Sequence, residues 1–267
     1  MTNPKLLAIG LALCLFVSCS EQEDVAPEKE AISPETIAKL NALGFKTDNA
    51  FQYNGSLIVE GDIVLSEADL DRMKPSNIVA VEEQYHTDNL VSSLPRTIDV
   101  YVSTSFSSKY FTAVDAAIAR YNNENLNLTF QRVTSSSGAD MVINPSPWWY
   151  YWFGILGSAG FPTAGGDPHN EILLTKQYYD GVSDIGALTT TIAHEMGHCI
   201  GFRHTDYMDR SYSCGGSADN EGDGGVGANH IPGTPTTADA ASWMLACSDG
   251  SDRPFNNNDK TALDYLY

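Results

Sequence analysis

The sequence predicts an α/β (α+β) protein: a twisted mixed sheet with a histidine-bearing helix and a second packed helix, preceded by a small N-terminal module. Residues 97–103 (Thr-Ile-Asp-Val-Tyr-Val-Ser) alternate apolar and polar with period two, as a half-buried strand does. Residues 109–123 carry Phe111, Val114, Ala117, Ile118 and Tyr121 at helical spacing, an amphipathic helix. The order strand, helix, strand, strand, loop, strand, helix from Pro95 onward is that of helices packed on a sheet.

The remaining elements follow in order. Ser33-Pro34-Glu35 opens a short helix through Ile37, Leu40 and Leu43, stopped by Gly44. Strand-like runs at 57–59 and 63–65 flank Glu60-Gly61-Asp62, and a helix-like piece at 67–73 leads into polar sequence at 84–93. This small module spans 35–92 and has no cysteine. After the first strand and helix come strands at 128–133 and 139–143, an aromatic loop, a short apolar strand at 171–174, and a helix at about 185–200. No repeat of twenty residues or more is visible.

The chain holds 15 Lys plus Arg against 34 Asp plus Glu in 267 residues, a net charge of −19, which excludes a simple nucleic-acid binder because phosphate backbones are held by clustered basic residues. At the N-terminus, Lys5 precedes an apolar stretch from Leu6 to Val17, then Ser18, Cys19 and an acidic run. That layout is a secretion signal, 1–18, too short for a comfortable membrane span. The small residue before Cys19 resembles the lipobox of bacterial lipoproteins, although Phe16 stands where Leu is preferred. The resemblance implies acylation at Cys19, a lipidated tether over 19–34, and a surface or outer-membrane location, with membrane contact only through the anchor; an ordinary secreted protein is the other reading. Of the cysteines beyond the signal, Cys214 and Cys247 lie in loop-like sequence and Cys199 in a helix, so Cys214 with Cys247 is the expected pair and Cys199 a buried thiol.

The chemistry is concentrated in His194-Glu195-Met196-Gly197-His198, followed by Gly201 and His204. Histidines four apart share a helical face, so His194 and His198 can reach one ion. Gly201 ends the helix with a turn that returns His204 as a third ligand. Glu195 stands beside that face as a base for a metal-activated water, and the fourth position stays open. Structural zinc sites are usually closed by four ligands rich in cysteine, which this pattern is not.

Residues 194–204 match the long zinc signature of the metzincin metallopeptidases, and Met244 in Ala241-Ser242-Trp243-Met244 resembles their Met-turn. Met196-Gly197, the Gly-Phe-Arg-His-Thr-Asp that follows, and Ile231-Pro232-Gly233-Thr234-Pro235 are most similar to the bacterial dual-action HEIGH metallopeptidases, with Met196 replacing the eponymous Ile. The likeness covers roughly 95–267 and implies a metzincin-like domain that hydrolyses protein or peptide substrates with Zn²⁺. A non-catalytic adhesion lipoprotein with a silent metal site is the competing class, and the presence of Glu195 argues against it.

Other features carry paired readings. Astacins and serralysins have an oxyanion-stabilising Tyr two residues beyond the Met-turn Met; Ala246 stands there, leaving Tyr207 and Tyr212 as substitutes. Residues 156–161 are either a substrate-pairing edge strand or a plain loop. The run 148–153 (Trp-Trp-Tyr-Tyr-Trp-Phe) is expected to pack rather than bind. His169 and His230 read as a loop and a rim histidine, and Asp219, Glu221 and Asp223 as a flexible acidic loop or a Ca²⁺ site. Val59-Glu60-Gly61-Asp62 is similar to the astacin Phe-x-Gly-Asp propeptide segment, which implies a latency switch at Asp62 and a zymogen; a tight hairpin turn explains the same residues without function.

Overall fold

The computed structural model describes residues 30–267 apart from 49, 54, 74–83, 219, 222–226 and 236. The expected leader, Cys19, most of the tether, Asp219 and Asp223 lie outside the described residues.

The module begins with α1 (Pro34–Ala42), whose N-cap Ser33 accepts the amide of Thr36 and whose first turn opens with proline. Three short strands, β1 (Phe51–Tyr53), β2 (Ser56–Val59) and β3 (Ile63–Leu65), form an antiparallel meander, and α2 (Glu67–Arg72) follows. Leu57 and Val59 turn toward Leu40, Phe45, Ile63 and Leu65. Ile58, on the opposite face of β2, packs with Phe51 on Trp149, Tyr150 and Ile155. A strand buried on both faces explains its continuous apolar run.

Residues 84–92, read as the module's polar end, run along the larger domain. β4 (Tyr85–His86) recurs below as the partner of β10; Thr87 N donates to Gly201 O, Ser92 N to Gly166 O, and Gln84 Nε2 to Asp259 at 2.9 Å.

The main sheet comprises β5 (Arg96–Val102), β6 (Leu128–Val133), β7 (Met141–Pro145), β8 (Gly157–Ser158) and β9 (Glu171–Leu174) in the order β6-β5-β7-β9-β8. All neighbours are parallel except β8, which runs antiparallel to β9 at the edge. β7 starts at Met141 rather than at 139, because Ala139 N closes a turn onto Ser136 O. The 148–153 run forms a 3₁₀ helix, Trp148–Phe153, with Trp149 and Tyr150 buried and Trp148, Tyr151 and Trp152 nearly half exposed.

Helices α3 (Ser108–Asn122) and α5 (Gly186–Ile200) pack together; Val114, Ala117 and Tyr121 of α3 share one core with Ile192, Ala193 and Met196 of α5 and with Ile98, Val100, Ile143 and Ile172 of the sheet. Tyr121 also donates from its hydroxyl to Ala193 O at 2.6 Å. Short helices α4 (Lys176–Tyr179) and α6 (Ser211–Cys214), strand β10 (Asn229–His230) paired with β4, and α7 (Asn257–Leu266) complete the chain. Among the described residues no helix is long and apolar enough to cross a membrane.

One close approach fixes the depth of α5. A Cβ at Gly197 would stand 2.6 Å from Met244 Sδ and 3.3 Å from Trp243 Nε1, so the helix and the 241–247 turn meet only because residue 197 has no side chain. Gly197→Ala is expected to destabilise the protein by about 1–3 kcal/mol, the usual cost of overpacking; urea unfolding measures it, and an unchanged midpoint would show that the turn moves aside freely.

Candidate metal centre and active site

His194 and His198 lie on α5, which ends as the spacing predicts. Gly201 has φ 111°, its amide bonds back to His198 O, and Phe202 N bonds to Gly197 O, the paired pattern of a helix terminated by a left-handed glycine. The chain then reverses, and His204 comes to lie beside the first two histidines, with ring centroids 5.2 Å from His194 and 4.8 Å from His198.

Each imidazole has its outer nitrogen committed. His194 Nδ1 donates to Trp243 O at 2.9 Å, His198 Nδ1 to Phe202 O at 2.8 Å, and His204 Nδ1 to Glu221 at 2.8 Å. With the outer proton fixed, the lone pair of a neutral ring is left on Nε2. Burial, and then the neighbouring His194 and His204, push His198 well below the ordinary histidine range, toward the neutral form. His204 is raised, against the effect of burial, by the carboxylates of Glu221 and Asp62.

His194, His198, His204 and Asp62 each offer one ligand atom, and these atoms lie within 4.8 Å of one another. His198 Nε2 and His204 Nε2 are 3.2 Å apart. Two nitrogens bound tetrahedrally to zinc at about 2.0–2.1 Å sit about 3.3 Å apart, so this pair already has the separation that the ion demands. Asp62 Oδ2 stands 3.0 Å from His204 Nε2 and 3.7 Å from His194 Nε2, and against the effect of burial His204 holds its carboxyl well below the usual range. The donor set fits Zn²⁺.

Glu195 is buried, and its Oε2 has no hydrogen-bond partner among the described residues. Burial, and then the charge of Asp62, push it well above the ordinary carboxylate range, with His204 opposing. A Cβ at Gly157 would lie 2.7 Å from Glu195 Oε1, so β8 passes the carboxyl only as glycine. Beyond β8 the sheet edge is occupied by the module: Ala159 N donates to Asp62 O and Val64 N to Ala159 O, a parallel bridge between Ile63 and Ala159. The cleft of about 490 Å³ is lined by Gly61 and Asp62 of the module together with Gly157, Thr191, His194, Glu195 and Arg210.

Met244 is buried; its carbonyl accepts the amide of Thr205 at 2.9 Å, tying the turn to the segment after His204. A disulfide joins Cys214 to Cys247, and Cys199 is a buried free thiol. Ala246 lines the cleft and donates its amide to Asp206. Tyr207 is buried edge-on against Tyr85, Tyr212 is half exposed, and neither lines the cleft. His169 donates its amide to Cys199 O, and His230 Nε2 is 3.1 Å from Thr234 Oγ1.

Glu221 departs most from the flexible or Ca²⁺-binding reading of its loop. It is fully buried, receives the His204 proton, and pairs with Arg210 at 3.2 Å and Arg203 at 3.7 Å. Among the described residues, His204, Arg210 and Arg203 lie against its carboxylate. Arg203, Arg210 and Glu60, which the motif reading passed over, complete this cluster: Arg203 is 3.3 Å from Glu60 Oε2, and Arg210 donates to Glu60 O. Burial, and then Glu221, raise Glu60 well above the usual carboxylate range, with Arg203 opposing.

The sequence profile of the dual-action HEIGH metallo-peptidase family matches residues 57–267, most of the chain. The chain belongs to that family. This HEIGH metallopeptidase is therefore a zinc metallopeptidase of protein or peptide substrates, and the family match begins inside the module, so that it includes Asp62. Among solved structures it is similar to myroilysin, at 11% identity and a TM-score of 0.44 over 67% of this chain and 96% of that one, and in a second structure of myroilysin at 11% and 0.41 over 87% and 95%. It is also similar to high choriolytic enzyme 1, a hatching enzyme zinc-protease from the medaka fish Oryzias latipes, at 16% identity and a TM-score of 0.34 over 64% and 82%. No curated protein matches the chain.

Outer-sphere partners of metal-binding histidines typically contribute a factor of about 10–100 in affinity. Glu221→Gln is accordingly expected to weaken zinc binding by about that factor, read by competition with a chromophoric chelator; unchanged affinity would mean that the His204–Glu221 contact does not orient the ring.

Proposed function

We propose that this HEIGH metallopeptidase is an endopeptidase in which His194, His198 and His204 hold Zn²⁺ and Glu195 is the general base. The observation that carries this reading is the convergence of three Nε2 atoms, each with Nδ1 committed elsewhere, beside a buried carboxyl with an unsatisfied oxygen. Zinc, when bound, supplies the Lewis acidity that makes water nucleophilic near neutral pH and polarises the scissile carbonyl. Glu195 takes a proton from the attacking water on one carboxyl oxygen and later delivers it to the leaving nitrogen. Burial beside the ligands keeps this carboxyl within reach of the attacking water and of the leaving nitrogen for both halves of that transfer. Met244 supports the ligands from beneath, and once the module leaves the edge beyond β8, a substrate strand adds there through backbone groups that accept a peptide irrespective of side chain.

In the same reading the module is a latency device. Asp62 offers a carboxylate oxygen to the point where the imidazoles converge, and the bonds to Ala159 lay residues 62–64 along the edge that a substrate needs. The leader and Cys19 support export and a lipid anchor at the cell surface or outer membrane.

Two measurements test this. Glu195→Ala is expected to retain one equivalent of zinc while losing at least about a hundredfold in turnover, the lower end of general acid–base contributions; full peptidase activity in that variant would refute the role. Asp62→Ala in the full chain is expected to raise turnover above that of the unaltered chain. Equal rates before any processing would leave the module without an inhibitory function.

A further inference from the structure

Ala246 stands where astacins and serralysins carry an oxyanion-stabilising tyrosine, and neither Tyr207 nor Tyr212 lines the cleft. Among the described residues, two guanidinium groups do line it, those of Arg210 and Arg253. Arg253 donates from Nη1 to Cys247 O at 3.1 Å and pairs through Nη2 with Asp249, also at 3.1 Å, so both of its arms are turned to its own wall of the cleft. Arg210 stands beside the metal centre. Its Nε lies 3.2 Å from Glu221 Oε1, the carboxylate that also takes the His204 proton, so the guanidinium is held one contact away from a zinc ligand.

The far end of the Arg210 side chain faces the hairpin tip. Nη1 donates to Glu60 O, and a Cβ at Gly61 would meet Nη2 at 3.4 Å and Nη1 at 4.0 Å. Gly61 immediately precedes Asp62, whose Oδ2 is 3.0 Å from His204 Nε2. Against the effect of burial, Glu221 and then Asp62 hold Arg210 more firmly protonated than an ordinary arginine. The backbone of Arg210 is anchored as well: its carbonyl accepts Cys214 N at 2.9 Å, and the Cys214–Cys247 disulfide ties that turn to the cleft wall next to Ala246. The guanidinium therefore already holds a peptide carbonyl at the cleft, one residue from the group that reaches the imidazoles.

We infer that Arg210 is the oxyanion donor of this peptidase, filling the role that Ala246 leaves open. The inference rests on the proposed hydrolytic reading and on the hairpin yielding the cleft to substrate. Attack of water on the scissile carbonyl moves the π pair onto oxygen while Glu195 takes the proton; collapse restores the carbonyl, breaks the C–N bond and passes that proton to the departing nitrogen. A donor placed in advance at the oxygen that becomes negative stabilises this state more than the neutral carbonyl, and a charged N–H donor does so most strongly. With Nε kept on Glu221, the Nη end exchanges the Glu60 carbonyl for the scissile one. Glu221 compensates the guanidinium charge throughout, so the exchange needs no new ion pair.

The test places Arg210→Met and Arg210→Lys in the full chain carrying Asp62→Ala, saturated with zinc. Arg210→Met is expected to keep one equivalent of zinc and to lose about a hundredfold in kcat with KM little changed, the scale of removing one oxyanion donor. A phosphinic peptide, whose tetrahedral P–O⁻ imitates the charged state, is expected to lose affinity by the same factor, while an uncleaved peptide bound to the Glu195→Ala chain loses none. Arg210→Lys keeps a cation and recovers part of both losses. Should Arg210→Met fail to fold, as a thermal melt will show, the parallel fall of kcat and phosphinic affinity in Arg210→Lys decides alone. An unchanged kcat, or a loss of kcat with phosphinic affinity intact, overturns the oxyanion role and leaves the hydrolytic reading standing. Cleavage of no peptide by the zinc-loaded Asp62→Ala chain overturns the hydrolytic reading instead, and this inference with it.

Discussion

Three imidazoles can face one point inside a protein only if something outside them dictates where their protons sit. A free imidazole chooses between two tautomers, and a ring with its proton on the inner nitrogen repels a cation rather than binding it. Here the choice is made by the carbonyls of Trp243 and Phe202 and by the carboxylate of Glu221. Two of these acceptors are backbone atoms, so the fold itself enforces the tautomers of His194 and His198. Only His204 depends on a side chain, and that side chain is in turn held by two arginines.

The geometry behind those acceptors is set by close approach. Gly201 gives the left-handed turn that brings Phe202 O back to His198 and swings His204 into place. Gly197 lets the Met244 turn press against α5, which puts Trp243 O within reach of His194. Gly157 leaves room for the Glu195 carboxyl beside the edge strand. Each of these glycines serves a different ligand or the base, so the site is assembled from separate short contacts around α5, its terminating turn, β8 and the Met244 turn.

Much of this was legible in the sequence because it is local. The i, i+4 histidines, the helix-ending glycine and the third histidine lie within eleven residues, and helical geometry converts their spacing directly into a shared face. The strand β5 and the amphipathic α3 showed their periodicity in the same way, and β9 its short apolar run. What stayed hidden depends on contacts distant in sequence. Glu221 sits among glycines and acids that resemble a solvated loop, and nothing near it announces a proton acceptor for His204, seventeen residues earlier. Arg203 reads as one of the variable positions of the zinc signature, and its partner Glu60 lies 143 residues away. The pairing of β4 with β10 likewise joins two-residue strands too short for periodicity to register.

The central claim is that a single zinc ion is held by three histidine nitrogens with the remaining coordination supplied by oxygen. X-ray absorption at the zinc edge on the full-length protein tests it most directly. The account predicts one zinc per chain, with three nitrogen scatterers at about 2.0–2.1 Å and oxygen in the rest of the shell. Sulfur scatterers at about 2.3 Å, or a chain that takes up no zinc, would contradict it.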